Sequence, residues 1–179
     1  MKELSLNILD VAKNSVRAGA TLIGISLNTD KDGILTIKIS DNGCGMSEET
    51  LNSVTDPFYT TRTTRKVGLG LPLLKMAAEQ TGGTLKLTSS TEKGSSGTVL
   101  TATFNTKSID CMPMGDIIST VCILIAGSPD IDFEFSDVTD TRSVILKTAE
   151  LREVLGDISL AEPEIQQWMT EYLKEQYLQ

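Results

Sequence analysis

The sequence predicts an α/β (α+β) fold, on three observations. Segments with helical apolar spacing are interspersed with short β-like runs. The 179 residues suffice for one core with an appendage, without disulfides or metal. A share of 40% hydrophobic against 22% charged residues is that of a globular chain, not a disordered one.

The elements follow in order. In residues 4–18, Leu4, Ile8, Val11, Ala12 and Val16 recur at helical spacing, and Gly19 can close the helix. Runs 22–27 and 34–39 read as strands joined by the turn Asp30-Lys31-Asp32-Gly33. Their alternation is only approximate, which leaves burial on both faces open. After the loop Asp41-Asn42-Gly43-Cys44-Gly45, Ser47 reads as an N-cap, with Glu48 and Glu49 suited to the positive end of a short helix. Residues 52–68 are polar, rich in Thr and Arg, contain Pro57 and lack periodicity, the mark of a functional loop. A helix resumes near Leu71, with Pro72 tolerated in its first turn, and ends at Gly82-Gly83. Strands follow at 84–89 and 98–104. Beyond a linker at 105–114, a helix at 116–126, a hairpin of strands 131–135 and 143–147, and helices at 149–155 and 164–177 are expected.

Composition excludes several functions. The chain has no histidine, which removes Ser-His-Asp and Cys-His hydrolases, most catalytic zinc sites and a phosphohistidine within the chain. Aromatic residues are 4% and the formal charge is −8, so neither base stacking nor a basic field favours nucleic acid. The charge is uneven. Residues 1–104 carry 11 basic and 10 acidic residues, leaving 5 basic and 14 acidic for residues 105–179. Cys44, Cys111 and Cys122 are far apart, without C-x-x-C spacing, and read as free thiols of a reducing compartment. An acid at Glu3 argues against a signal peptide, and the longest apolar run, 121–126, is too short to span a membrane. A cytoplasmic protein with no membrane partner is expected.

Four pieces carry chemistry. Asp10 and Asn14 share one helical face, where an amide and a carboxylate can hold Mg²⁺ and orient a water or hydroxyl; Arg17 follows one turn later, within reach of a phosphate. Asp41-Asn42-Gly43-Cys44-Gly45-Met46 directly follows a strand, so a carboxylate can accept from an exocyclic amine while two glycines let the backbone approach a flat ring. Asp56-Pro57-Phe58-Tyr59-Thr60-Thr61-Arg62 comes next. Then Lys66-Val67-Gly68-Leu69-Gly70-Leu71-Pro72 opens a helix with two glycines, an anion site neither of the Walker nor of the Rossmann kind.

In this order and spacing the pieces resemble the GHKL superfamily of gyrase, heat-shock-90 chaperones, histidine kinases and mismatch-repair ATPases, over about residues 5–104. The run 56–71 is most similar to nitrogen-regulation-type sensor histidine kinases, and Arg17-Ala18-Gly19-Ala20-Thr21 is similar to the mismatch-repair group. The whole chain also looks like small stand-alone ATP-binding proteins of anaerobic bacteria.

The resemblance implies a Bergerat-type two-layer sandwich, a mixed sheet with helices on one face, as an ATP-binding domain at 1–105; residues 106–179 match no family and read, from their own pattern, as a small α/β acidic extension. The resemblance implies that Asp41 accepts from the adenine amine with Thr98 supporting it through water, and that Gly43, Gly45 and Met46 flank the ring. Asn14 would ligate Mg²⁺. Arg17, Arg62, Gly68, Leu69 and Gly70 would surround the phosphates. Phe58, Thr61, Lys66 and Leu71 belong to the same implied contact set, and residues 52–68 would form a lid over ATP.

Asp10 stands where family ATPases carry Glu, and is the candidate base. With no histidine-bearing hairpin ahead of it, the chain is not a complete histidine kinase. Two readings stay open: a stand-alone regulatory kinase in signal transduction, phosphorylating Ser, Thr or His of a separate partner, or an ATP-hydrolysing or ATP-sensing switch. A homodimer is left open too. The acidic extension reads as a solvated face or as a docking module for a basic partner. Trp168 and Tyr172, four apart, read as packing of the last helix or as a partner groove.

Overall fold

The computed structural model describes residues 3–56 and 70–179. Helix α1 (Leu4–Arg17) is followed by strands β1 (Leu22–Thr29) and β2 (Ile34–Asp41), helices α2 (Glu48–Ser53) and α3 (Gly70–Gln80), and strands β3 (Leu85–Ser90) and β4 (Gly97–Asn105). Helix α4 (Ile117–Gly127), strands β5 (Asp132–Val138) and β6 (Ser143–Lys147), and helices α5 (Thr148–Leu155) and α6 (Pro163–Leu178) complete the order.

The strands form one mixed sheet in the order β3-β4-β2-β1-β5-β6. All neighbours are antiparallel except β1 and β5, which run parallel. Directly paired residues share a face, and the register aligns Leu87, Leu100, Ile39, Ile25, Phe135 and Leu146 across all six strands. This row faces α1, α3, α4 and α6 in a single buried cluster. The next row, Lys86, Thr101, Lys38, Ser26, Ser136 and Ile145, lies on the opposite face. The sheet is therefore buried on one face, which settles the ambiguity in 34–39: Leu35, Ile37 and Ile39 go inward.

The expected two-layer sandwich is present, and the C-terminal hairpin continues the same sheet beside β1. Helix α1 starts without a side-chain cap. Instead the N–H groups of Leu4 and Ser5 donate to the carbonyls of Pro113 and Met114 at 2.9 and 2.8 Å, so residues 113–114 satisfy two of its free donors. Ser47 caps α2 by accepting from the Thr50 N–H, and Asp116 caps α4 by accepting from that of Ser119. Helix α6 packs through Met169 and Leu173, both fully buried, and leaves Trp168 and Tyr172 exposed.

Candidate functional site

Two cavities lie toward opposite ends of α1. One, of about 230 Å³, is lined by Val11, Asn14, Ser15 and Ala18 of α1, Ile39 and Asp41 of β2, Gly45, Met46, Thr50 and Val54, Leu71 of α3, Leu87 of β3, and Thr98 and Leu100 of β4. Apolar walls around one strand-end carboxylate suit a flat heteroaromatic ring carrying a donor.

Strand pairing places that carboxylate. Asp41 ends β2 opposite Thr98 and Ile23, on the helix-facing side. The Ser15 hydroxyl donates to Asp41 Oδ2 at 2.6 Å, and the Gly43 N–H donates to Oδ1 at 2.9 Å. Both donors are neutral, and each carboxylate oxygen keeps a second lone pair for a ligand. Thr98 is held by Ser89, whose Oγ lies 2.8 Å from Thr98 Oγ1, donates to the Gly97 carbonyl and accepts from the Met46 N–H. Gly45 has φ +72°, and a Cβ there would strike the Ser90 carbonyl, so the loop closes on β3 only with glycine. Asn42 fixes the loop from outside: its amide oxygen accepts from the N–H groups of Thr21 and Leu22.

Asp10 sits elsewhere. Its carboxylate packs against Gly70, the buried first residue of α3, where a Cβ would collide with it. One side of that helix start is thus acidic, whereas the dipole of a helix N-terminus favours an anion. Asn14 lines the cavity one turn along α1 from Asp10, and its Oδ1 accepts from exposed Arg17 Nη1 at 3.1 Å.

The structure therefore brings Asn14, Asp41, Gly45, Met46, Leu71 and Thr98 around one cavity, with Gly43 behind Asp41 and Arg17 against Asn14, while Asp10 lies outside the cavity lining, against Gly70. Phe58, Thr61, Arg62, Lys66, Gly68 and Leu69 lie outside the described residues, as does most of the expected lid; Asn52 and Ser53 close α2. Sequence reasoning missed Ser15 and Ser89. Ser15 follows Asn14 directly, but its contact with Asp41 spans 26 residues and has no local signal.

A metal would find few protein donors here. Among the described residues no three His, Cys, Asp or Glu side chains cluster to hold a metal ion. The Asn14 amide oxygen suits Mg²⁺ as one ligand among phosphate oxygens and waters.

The second cavity, about 570 Å³, is lined by Leu4, Leu35, the 111–118 segment, Asp137, Arg142 and Tyr177, among others. Tyr177 Oη donates to Asp137 Oδ2 at 2.7 Å, Arg142 Nη2 reaches the same oxygen at 3.2 Å, and the guanidinium lies 4.7 Å from the Tyr177 ring centroid. Burial first, then the bond to Asp137, pushes the Tyr177 phenol well above its ordinary range. Burial likewise raises the Cys111 and Cys122 thiols, and all three cysteines are free.

The mixed sheet, the one-sided helical layer and the cavity between α1, β2 and α3 define a GHKL-type nucleotide-binding fold. Residues 2–108 match the family described as histidine kinase-, DNA gyrase B-, and HSP90-like ATPase, and the chain belongs to it. It carries an ATP-binding domain of the histidine-kinase type.

Sporulation kinase B of Bacillus subtilis (strain 168) is 32% identical over 100 residues, 54% of this chain and 23% of that protein. Sensor histidine kinase CpxA of Escherichia coli (strain K12) is 35% identical over 82 residues, 43% of this chain and 18% of that protein. The chain thus spans less than a quarter of these curated relatives.

Among solved structures, the N-terminal domain of a DNA repair protein superposes with TM-score 0.59 at 15% identity, over 82% of this chain and 53% of that one. The Aquifex aeolicus MutL ATPase domain complexed with ADP gives 0.52 at 14% identity, over 87% and 69%. Both coverages exceed what residues 2–108 can supply, so the fold likeness includes part of the C-terminal region. No helix among the described residues is long and apolar enough to cross a membrane.

Proposed function

We propose that the protein is a Mg-ATP-dependent regulatory kinase acting on a separate protein, with residues 1–105 holding the nucleotide and 106–179 serving the partner. The observation that carries this reading is the position of Asp10. A carboxylate against the first residue of α3 stands at the anion-binding end of the site, away from the cavity that Asp41 serves. A site that only sensed ATP would have no use for a base there, whereas attack by a hydroxyl or by water would, and the labelling experiment below separates those two.

Asp41, with Ser15 and Gly43 fixing its oxygens, accepts from the adenine amine. Arg17 supplies positive charge toward the phosphates. Asn14 would hold Mg²⁺ through its amide oxygen, and the ion would supply neutralisation of the charge that develops on phosphoryl transfer. Asp10 receives the proton of an attacking hydroxyl if the acceptor is Ser or Thr. Residues 1–179 hold no histidine, so a histidine acceptor would lie outside them.

One observation favours the second reading, an ATP-driven switch. Helix α1 contributes Asn14 and Ser15 to the cavity, while its first turn is bonded to residues 113–114 and its side packs on α4. A shift of α1 on nucleotide binding would therefore reach the C-terminal region. ATP labelled in its γ-phosphate, incubated with the protein and lysate of its own host, separates the two. Label on a second protein supports the kinase, free phosphate or no transfer the switch.

A further inference from the structure

We propose that the groove between β6 and α6 is a docking site for a cationic segment of another protein, one presenting lysine or arginine side chains. The inference takes from the proposed function only the existence of a protein partner, and holds whether or not phosphate is transferred.

Trp168, Tyr172 and Gln176 fall at i, i+4 and i+8, one stripe of α6. The Trp168 and Tyr172 rings stack with centroids 5.0 Å apart and planes inclined by 13°. Although large, they are 46% and 37% exposed, because the neighbouring stripe of Met169 and Leu173 is the one α6 buries. Beside them lies a cavity of about 220 Å³ lined by Ile145, Leu146 and Leu151 together with Lys147 and Glu150. Gln176 accepts from the Ile145 N–H at 2.9 Å and donates to the Ile145 carbonyl at 3.1 Å. That blunts the free edge of β6 at its centre, so recognition here works through side chains rather than through an added strand.

Charge selects the occupant. Lys147 lines the groove but is paired with Glu150 at 3.8 Å. Glu164, Glu171 and Glu175 are exposed on α6 and lie on or next to the aromatic stripe. An ammonium or guanidinium is attracted both to the ring faces and to these carboxylates, while its methylene stem covers the apolar floor. A second copy of this chain fits badly, since residues 105–179 carry 14 acidic against 5 basic residues and two such faces repel. Three steps across the sheet separate β6 from β2, so a docked segment leaves the nucleotide cavity open.

Trp168 is the chain's sole tryptophan, so its emission reports on this groove directly. The full chain is titrated with a synthetic peptide of alternating lysine and valine, with the arginine version, and with one in which glutamine replaces lysine. The basic peptides are expected to perturb Trp168 emission and bind at least tenfold tighter than the glutamine peptide, with affinity falling as salt rises. Tyr172→Ala, and Glu171→Gln with Glu175→Gln, are each expected to weaken basic-peptide binding about fivefold or more. ATP affinity, measured on the same variants by calorimetry, should not move, so failure at the groove and failure at the nucleotide site are read separately. Equal binding of the glutamine peptide, no binding of the basic peptides, or unchanged affinity in the variants overturns the proposal. So does self-association in sedimentation that Trp168→Ala abolishes, which would assign the face to a second copy.

Discussion

Asp41 and Asp137 face the same side of one sheet and are built for opposite purposes. Asp41 pairs with Ile23 and Asp137 with Leu27, so they stand four residues apart along β1, about 13 Å. Asp41 is half-buried, and its oxygens accept from two neutral donors, a hydroxyl and an amide. Asp137 is buried, and one oxygen takes both a phenol and a guanidinium, a cation that offsets its charge within the chain. A carboxylate neutralised in place stabilises structure; one held only by neutral donors stays able to receive a ligand. The two ends of α1 thus separate binding from scaffold.

The largest expected effect belongs to the binding end. Asp10→Asn keeps shape and hydrogen bonding but cannot take a proton. Turnover should fall by about 10²–10⁴-fold, the usual worth of a positioned base, with ATP affinity nearly intact. Full activity in this variant, measured by transfer of labelled phosphate, removes Asp10 as the base and points to a histidine acceptor on a partner, which needs little deprotonation.

Next comes Asp41→Ala, which in the proposed site would leave the adenine amine unpaired. It should raise the ATP Kd about 5- to 150-fold, or roughly 1–3 kcal/mol, with little change in melting temperature. Ser15→Ala removes one neutral hydrogen bond and should cost about fivefold. If calorimetry finds Ser15→Ala as damaging as Asp41→Ala, Ser15 contacts the ligand itself and the division between receiver and support fails.

How much of this the sequence revealed differs between the two ends. Asp10, Asn14 and the loop from Asp41 to Met46 could be read because their chemistry is local: a one-turn spacing, and glycines directly after a strand. The β5–β6 hairpin could be read as strands, but its parallel place beside β1 could not, since about a hundred residues separate β1 from β5 and turn chemistry fixes only the hairpin. Helix α6 shows a different limit. Met169 with Leu173 and Trp168 with Tyr172 have the same spacing, so periodicity alone does not choose which stripe turns inward. The apolar surface of α4 and β6 chose the pair without polar tips. Asp137 looked like one more acid of a charged extension until Arg142 and Tyr177, five and forty residues away, closed on it.

Tyr177→Phe tests the scaffold end. It should lower stability by about 1 kcal/mol at neutral pH while leaving ATP affinity within about twofold. The pH dependence follows from the raised phenol pKa. A group held protonated in the folded state contributes below its unfolded pKa, near 10.0, and that contribution is lost as pH rises above it. The gap in urea midpoint between wild type and Tyr177→Phe should therefore narrow above about pH 10. A gap that stays constant across that range would mean the phenol is not held by Asp137.

The smallest effect separates a third kind of carboxylate from both. Asp116 forms no ion pair among the described residues; it caps α4, with Oδ2 accepting from the Ser119 hydroxyl at 2.6 Å and Oδ1 from the Ser119 N–H at 2.9 Å. Those bonds, the hydroxyl first, hold its pKa below the usual carboxylate range, and Lys174 adds a weaker pull. Asn caps as well as Asp but carries no charge, so Asp116→Asn isolates the charge from the cap. Because the site is exposed and screened, that charge is worth only about 0.3–0.5 kcal/mol at low salt. A depressed pKa contributes stability above the unfolded value of 3.8, and the contribution is lost as pH falls through the lower folded value. Wild type should therefore be slightly more stable than Asp116→Asn near neutrality, and the difference should vanish toward about pH 2 or in high salt. A difference that survives both would come from hydrogen-bond geometry rather than charge, and Asp116 would then belong with the neutral-donor chemistry of Asp41.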